Sequence, residues 1–419
     1  MAIYFLGTAD AVAQVDTVQI TADDAATTYK LTVGGQTIST AGTGTGVNNT
    51  ATALASAWNA ATGAYFTGVT ASANTDTVTL TADTAGVPFV ATSSVTGGTG
   101  TIGSVTSSTA NAGPNDWSTA ANWSGGSVPT NSDDVIIADT STNICWGLAQ
   151  GTIALTSLKI LKTYTGKIGL DYTKFATSSD GDTTDATEFE YREQHLTIEA
   201  STVDIGQHFG QGSPTGSGRI NLDLDSGTAA TVTIHDTAAN PSETGRGAVR
   251  LLSNNSSTNI FIRSAPGGVA IANEVPGETS TVGKVSVNDA TSGSRVVLGS
   301  GTTLTTWTQR GGTNTIQAAA TITTITVDGG VLTTQGDYTV TTMNVNGGTV
   351  NASHKKTSGV AITTLNLNTG TVETRGSGES RTFTTVNLSV GATLKANAAD
   401  LTITTLNEPS TKEYTLTVT

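Results

Sequence analysis

The densest group of side chains that could do chemistry is the acidic stretch DGDTTDATEFEYREQH, residues 180–195. Its ionisable groups include Asp180, Asp182, Asp185, Glu188, Glu190, Glu193 and His195. Two carboxyl groups about 5–10 Å apart could cleave a glycosidic bond, one as the acid and the other as base or nucleophile. Such oxygens could also bind Ca²⁺, although the spacing differs from that of an EF-hand. A solvated acidic loop is the third interpretation and the favoured one, because spacing along a loop does not fix distances in space.

Patterns for other chemistry do not emerge. The four histidines are scattered, and neither His208 nor His235 has partners at metal-ligand spacing. The glycine-rich segment GQGSPTGSGR lacks the Gly-Lys-Ser/Thr of a phosphate loop, and no Gly-x-Ser-x-Gly elbow occurs. We therefore predict no catalytic, cofactor-binding or metal-binding residues, no cofactor and no enzymatic activity.

The composition favours a β protein. The chain has 419 residues, of which 12% are charged and 5% aromatic, and it contains 48 glycines. Threonine and valine suit short strands, glycine suits tight turns, and alternating apolar and polar residues argue for order. The net charge is −14, so we expect neither nucleic acid nor an anionic membrane as a partner, because both attract clustered lysine and arginine.

The charge is distributed unevenly. Residues 1–158 contain ten aspartates, no glutamate and a single cation, Lys30. Lysine often protects open sheet edges, so its scarcity here indicates that neighbouring subunits cover them. The protein is thus expected to assemble with itself.

The termini and cysteine content set the expected compartment. Cys145 is the single cysteine, which excludes an intrachain disulfide. The N-terminal segment MAIYFLGTADAVAQ has no basic region before its short apolar run, so it does not match a secretory signal, and no apolar stretch reaches transmembrane length. We expect synthesis and folding in a cytoplasm.

Residues 1–105 are predicted to form a small β-rich unit with one helix. Short alternating segments indicate strands, and Gly34-Gly35 indicates a hairpin turn between two of them. The helix is predicted in NNTATALASAWNAATG, with Asn49 or Thr50 as its cap and Gly63 as its end. Its predicted apolar stripe consists of Ala53, Leu54, Ala57, Trp58 and Ala61. Residues 106–115 are assigned as a linker, within a stretch of glycine, serine and threonine.

A phrase repeated at intervals of 18–22 residues dominates the C-terminal part of the chain. Its first apolar column consists of Val282, Leu304, Ile322, Val340, Ile362, Phe383 and Ile403. Its second column, three residues further on, consists of Val285, Trp307, Ile325, Met343, Leu365, Val386 and Leu406. Its third column consists of Val287, Val327, Val345, Leu367 and Leu388, with Gln309 and Glu408 as departures.

Such a period with strands but without helices is typical of a β-solenoid, in which each coil buries the apolar face of the next. Between the first two columns stands Thr-Thr in six successive copies, beginning at 305, 323, 341, 363, 384 and 404, and we interpret these pairs as corners. The column Asn288, Asp328, Asn346 and Asn368, mostly followed by glycine, is interpreted as the source of left-handed turn conformations.

The predicted fold is mainly all-β: a right-handed parallel β-helix over residues 116–419, preceded by the small N-terminal β-sheet domain with its helix. Coils of variable length favour this fold over a strict short-repeat solenoid. At about 4.8 Å per coil, roughly 15 coils would make a rod of about 70 Å. Residues 171–250 fit the register poorly and are predicted to project as loops. Trp117 and Trp123 are predicted to cover the first coil, although they could stack on sugars, and Trp307 is predicted to be core.

Two segments resemble known proteins. The first, YKLTVGGQTIST with TALASAWNAATGAYFTGVTASANTDTVTLTADTAGVPFVATSS, resembles a small β-rich module common in structural proteins of tailed bacteriophages. The second, DWSTAANWSGGSVPTNSDDVII, is similar to the segment that begins the first coil in bacterial and phage β-helix proteins. Together they imply a virion protein, assembled in the host cytoplasm and exposed on the particle as a fibre, spike or capsid decoration.

Three functions compete at this point. The first is a non-enzymatic virion protein, mounted by residues 1–105 on capsid or tail proteins, with the rod projecting as a homotrimer. The second is a tail spike that binds and degrades host-surface polysaccharide. The third is a secreted bacterial adhesin or surface-layer protein, although the calcium-binding glycine repeats usual on that secretion route are missing.

Overall fold

The computed structural model describes residues 2–63, 65–170, 174–176, 189–191, 194–207, 219–237, 247–272, 278–288, 293–317, 321–335, 338–352, 360–375, 381–396, 401–410 and 415–418. Within them the chain is mainly β, with a parallel β-helix, two small antiparallel sheets, a two-stranded hairpin and one α-helix. The fold class predicted from the sequence is confirmed. In the described part of the chain, no helix is both long and apolar enough to cross a membrane.

The first strands and the helices occupy the N-terminal third. Their bounds are β1 Ala2–Phe5, β2 Val15–Ala22, β3 Thr28–Val33, β4 Gln36–Ala41, α1 Val47–Ala60, β5 Val69–Asn74, β6 Thr77–Ala82, β7 Ala91–Thr96, β8 Thr101–Ile102, β9 Thr106–Thr109 and the 3-10 turn Ala120–Asn122.

The remaining strands are short and numerous. Those up to residue 298 are β10 Asp134–Ile137, β11 Ala149–Leu161, β12 Lys174–Ala176, β13 Phe189–Tyr191, β14 Leu196–Gln207, β15 Ile220–Asp223, β16 Thr231–Ile234, β17 Val249–Leu252, β18 Asn254–Ile262, β19 Val269–Ile271, β20 Ser280–Val287 and β21 Val296–Leu298. Those that follow are β22 Thr302–Gln309, β23 Thr313–Ile316, β24 Thr321–Val327, β25 Val331–Thr334, β26 Thr339–Val345, β27 Thr349–Asn351, β28 Val360–Leu367, β29 Thr371–Glu373, β30 Arg381–Leu388, β31 Thr393–Ala396, β32 Leu401–Asn407 and β33 Thr415–Val418.

The N-terminal unit packs helix α1 on small antiparallel sheets. Strands β3 and β4 form the predicted hairpin, and both turn glycines have positive φ, 55° at Gly34 and 82° at Gly35, as a two-residue hairpin turn requires. The predicted caps of the helix are wrong: it starts after Gly46 with no side-chain cap and ends at Ala60, with Ala61 as its C-cap. Its buried face is also shifted from the predicted stripe and consists of Thr50, Ala51, Leu54, Ala55 and Trp58.

Strand β1 forms the first described rung of the rod. Strand β1 pairs in parallel with β10, residue for residue from Ala2 opposite Asp134 to Phe5 opposite Ile137. The sequence grouped these residues with the unit 1–105, whereas here they supply the first rung of the parallel ladder. The chain therefore leaves the rod after β1, builds the small sheets, and returns to the rod near Trp117.

The two predicted capping tryptophans lie at this end and are buried. Trp117 and Trp123 are 0% and 2% exposed, with ring centroids 4.6 Å apart, and the Phe5 ring packs edge-on against Trp123. The Trp123 indole Nε1 donates to the Trp117 carbonyl at 2.8 Å. Asn122, also buried, donates to the carbonyls of Gly113 and Asp116. The structural interpretation is confirmed, since buried rings present no face for a sugar.

Two parallel ladders run along the rod. The long ladder has thirteen strands: β1, β10, β11, β14, β16, β18, β20, β22, β24, β26, β28, β30 and β32. The short ladder has ten strands, the odd-numbered ones from β15 to β33. Thirteen rungs at about 4.8 Å make a ladder of about 58 Å. The described residues thus supply fewer rungs than the roughly 15 coils predicted from the sequence.

The inward columns follow the predicted register. Ile322 pairs with Val340, Val340 with Ile362, and all three are at most 1% exposed. Trp307 lies in the second column and is fully buried, as predicted. Gln309, a departure in the third column, is buried as well, and its amide nitrogen donates to the Gly329 carbonyl at 3.1 Å. Each coil thus covers the apolar side chains of its neighbours.

The threonine pairs and the turns differ in detail from the prediction. Alternation breaks at each pair, but the strand continues through it, as in β24, where the ladder pairs Ile322 and Thr324 and skips Thr323. The left-handed turn conformations belong to glycines such as Gly348 (φ 68°) and Gly370 (φ 82°). Asn346 and Asn368 do not adopt them, and their side chains form a hydrogen-bonded ladder.

Candidate interaction surface

The most regular outward surface of the rod is formed by two parallel columns, which we call the ladder face. One column consists of Thr306, Thr324, Thr342, Thr364, Thr385 and Thr405. The other, two residues further along each strand, consists of Thr308, Thr326, Asn344, Asn366, Asn387 and Asn407. The core beneath fixes this pattern, because the residue between the two columns always points inward.

The asparagines of the ladder face are hydrogen-bonded in series along the rod. Asn366 Nδ2 donates to Asn344 Oδ1 at 2.8 Å, and Asn387 Nδ2 donates to Asn366 Oδ1 at 2.7 Å. Asn407 continues the series to Asn387 at 2.7 Å. Identical amides at the rung spacing can repeat the same bond at every step, so the side chains are held in one orientation.

A second series of amides lies at the ends of the same strands. Asn346 Nδ2 donates to Asp328 Oδ1 at 2.8 Å, and Asn368 Nδ2 donates to Asn346 Oδ1 at 2.7 Å. These residues precede the glycine turns, so the side-chain ladder and the turns repeat together. The outer surface of the late coils, those from Thr302 onward, is therefore ordered by hydrogen bonds as well as by the core.

The twelve residues of the ladder face include no charged side chain. The same two columns carry charge in the earlier coils, at Asp134, Lys159, Asp204 and Lys284. The short ladder also carries charge in the late coils, where Glu373 is opposite Lys395. The ladder face is thus an uncharged strip on an acidic protein.

A different polar cluster lies in the early coils, those up to Val287. Arg219 and Arg250 are 2% and 0% exposed; Arg219 Nε donates to the Gly247 carbonyl at 3.1 Å, and Arg250 pairs with Glu278. Burial and the nearby charges of Arg250 and Arg219 lower the pKa of His195 to about 3. The imidazole is therefore neutral at physiological pH.

Buried arginines of this kind bond the backbone of residues far along the chain. Arg219 and Gly247 are 28 residues apart, and the guanidinium of the first donates to the carbonyl of the second. Arg381 repeats the arrangement in the late coils, since its Nε donates to the Ala352 carbonyl at 2.9 Å. A buried arginine that donates to a backbone carbonyl 28 or 29 residues away thus occurs in both the early and the late coils.

The structure brings together few of the ionisable residues considered in the sequence. Asp180, Asp182, Asp185, Glu188, Glu193 and His208 lie outside the described residues, and of Glu190 only the backbone is described. His235 Nε2 lies 2.9 Å from Asp204 Oδ1, and the neighbouring Asp236 pairs with Lys162 at 2.9 Å. Across the described ranges, no three His, Cys, Asp or Glu side chains are grouped to hold a metal ion.

Sequence reasoning missed both the asparagine ladders and the buried arginines. The ladders had a readable signal, because Asn344, Asn366, Asn387 and Asn407 stand at one position of the repeat. The arginines had none, since arginine is usually exposed and the early coils lack a clear register. The chain matches no family model, and no curated protein or solved structure matches it either.

Proposed function

We propose that this protein is a non-enzymatic structural component of a bacteriophage particle, in which the β-helix serves as a projecting rod. The observation that carries the proposal is the unbroken long ladder of thirteen parallel strands over one apolar core. Each rung is bonded to the next through its backbone, so the rod resists bending.

The outer surface supports a mechanical role. In the late coils, the side chains that could face a substrate are largely threonine and asparagine, and the asparagines bond one another. Such amides stabilise the stack, whereas glycosidic cleavage would require a pair of carboxyl groups. The viral part of the proposal is supported by the resemblance of residues 29–94 to a phage module and of residues 116–137 to the first coil of bacterial and phage β-helix proteins. The small sheets that interrupt the rod after β1 would then form the attachment unit.

The test is to localise the protein on particles. Antibodies against the purified chain would be applied to phage particles produced by a strain that carries the gene, and labelled particles would be imaged by cryo-electron microscopy. We expect label at regular sites on the capsid or tail. Purified particles that contain no copy of the chain would refute the proposal, and release of reducing ends from host polysaccharide would replace it with the spike.

A further inference from the structure

We propose that the ladder face is a self-association surface, on which the late coils of a second copy of this chain pack side by side. The proposal goes beyond the proposed function, because a rod could stand on a particle as a single copy. It also selects one face of the rod among several and states which side chains make the contact.

The first argument is charge. The protein has a net charge of −14, so two copies repel each other over most of their surfaces. The ladder face carries no charge on any of its six rungs, whereas the same columns are charged in the earlier coils. Two copies can therefore approach on this strip without burying unpaired charge.

The second argument is spacing. The hydroxyl and amide groups repeat at the rung distance of about 4.8 Å, and a partner can meet every rung in the same way only if it has the same repeat. A second copy has this repeat by construction. Each ladder bond uses one N–H of an asparagine amide, and the amide has a second N–H and a second oxygen lone pair with which to meet the partner.

The third argument is size and rigidity. The six rungs span about 24 Å along the rod, and their strands are about 23 Å long if the exposed threonines that precede the ladder face, such as Thr323 and Thr341, are included. This wider strip gives about 550 Å² on each copy, or about 1,100 Å² in total. This area lies just above the lower limit for a specific interface. Little side-chain entropy is lost on contact, because threonine is stiff at χ1 and the asparagines are already held by their ladder.

The experiment compares two matched pairs of substitutions. Thr342→Lys with Thr364→Lys places two positive charges on adjacent rungs of the ladder face, and Thr349→Lys with Thr371→Lys places two on adjacent rungs of the short ladder. All four threonines are half-buried, and both double variants change the net charge equally. Circular dichroism and urea unfolding would verify that both variants fold.

Sedimentation velocity over a concentration series gives the result. We expect the wild type and the short-ladder variant to associate alike, and the ladder-face variant to require at least tenfold higher concentration for the same associated fraction. A wild type that stays monomeric throughout, or two variants that lose association equally, would overturn the proposal. Binding of a soluble host saccharide to a monomeric wild type, abolished in the ladder-face variant alone, would overturn it too and assign the surface to a glycan.

The result is separable from that of the localisation experiment. Self-association is measured on the purified chain, so it can fail while the chain is found on particles as a single copy. It can equally succeed for a protein that is absent from particles.

Discussion

The early coils, up to Val287, and the late coils, from Thr302, share one core but organise their outer surfaces differently. The early coils hold a buried ion pair, that of Arg250 with Glu278. The late coils repeat threonine and asparagine at fixed positions, and their ion pair Arg375–Glu373 lies at the surface. Irregular coils therefore depend on a few specific contacts, whereas regular coils distribute their stability over many equivalent ones.

The largest expected difference in the free energy of unfolding is between variants of the two arginine–glutamate pairs. Side-chain exposure is 0% for Arg250 and 17% for Glu278, against 39% for Arg375 and 22% for Glu373. Glu278→Gln removes the carboxylate that is paired with a buried guanidinium, so we expect the free energy of unfolding to fall by about 3 kcal/mol. Glu373→Gln serves as the control and should cost less than about 1 kcal/mol. Urea unfolding followed by circular dichroism measures both, and equal losses would contradict the contrast.

The pH dependence of the early coils is the next largest effect. His195 has a pKa lowered from 6.5 to about 3 by burial and by the charges of Arg250 and Arg219. Above pH 6.5, the His195 imidazole is mostly neutral in both the folded and the unfolded state. As the pH falls from 6.5 toward 3, this imidazole binds a proton in the unfolded chain but not in the folded chain, so the free energy of unfolding decreases.

The variant His195→Gln should remove this contribution. We expect the wild type to lose more stability than the variant between about pH 7 and about pH 5, a range in which ordinary carboxyl groups remain mostly ionised. The measurement is the urea midpoint at both pH values. Parallel shifts in the two proteins would show that the imidazole is not held neutral in the folded state.

The sequence predicted the late coils better than the early coils. In the late coils the period is short and nearly constant, so the inward columns through Ile322 and Val340 could be aligned by inspection, and the structure confirms them. In the early coils, contacts such as that between Arg219 and Gly247 do not recur from coil to coil, so no sequence repeat predicts them. The first rung was missed because β1 pairs with β10, more than a hundred residues away, and such a partner leaves no local pattern.

The asparagine series allows the smallest effect to be measured rung by rung. Asn366 takes part in two ladder bonds, of 2.8 and 2.7 Å, whereas Asn407 on the last described rung of the ladder face takes part in one, of 2.7 Å. Because these side chains are partly solvated, each bond is worth less than a buried one, and we expect Asn366→Ala to lower the free energy of unfolding by about 1 kcal/mol.

Asn407→Ala is the matched control and should cost about half as much. Urea unfolding of both variants beside the wild type measures the two losses. If the stability of the late coils is distributed over equivalent rungs, the loss should follow the number of ladder bonds removed. A loss of about 3 kcal/mol at Asn366 would instead show that the stability of the regular stack depends on this one side chain.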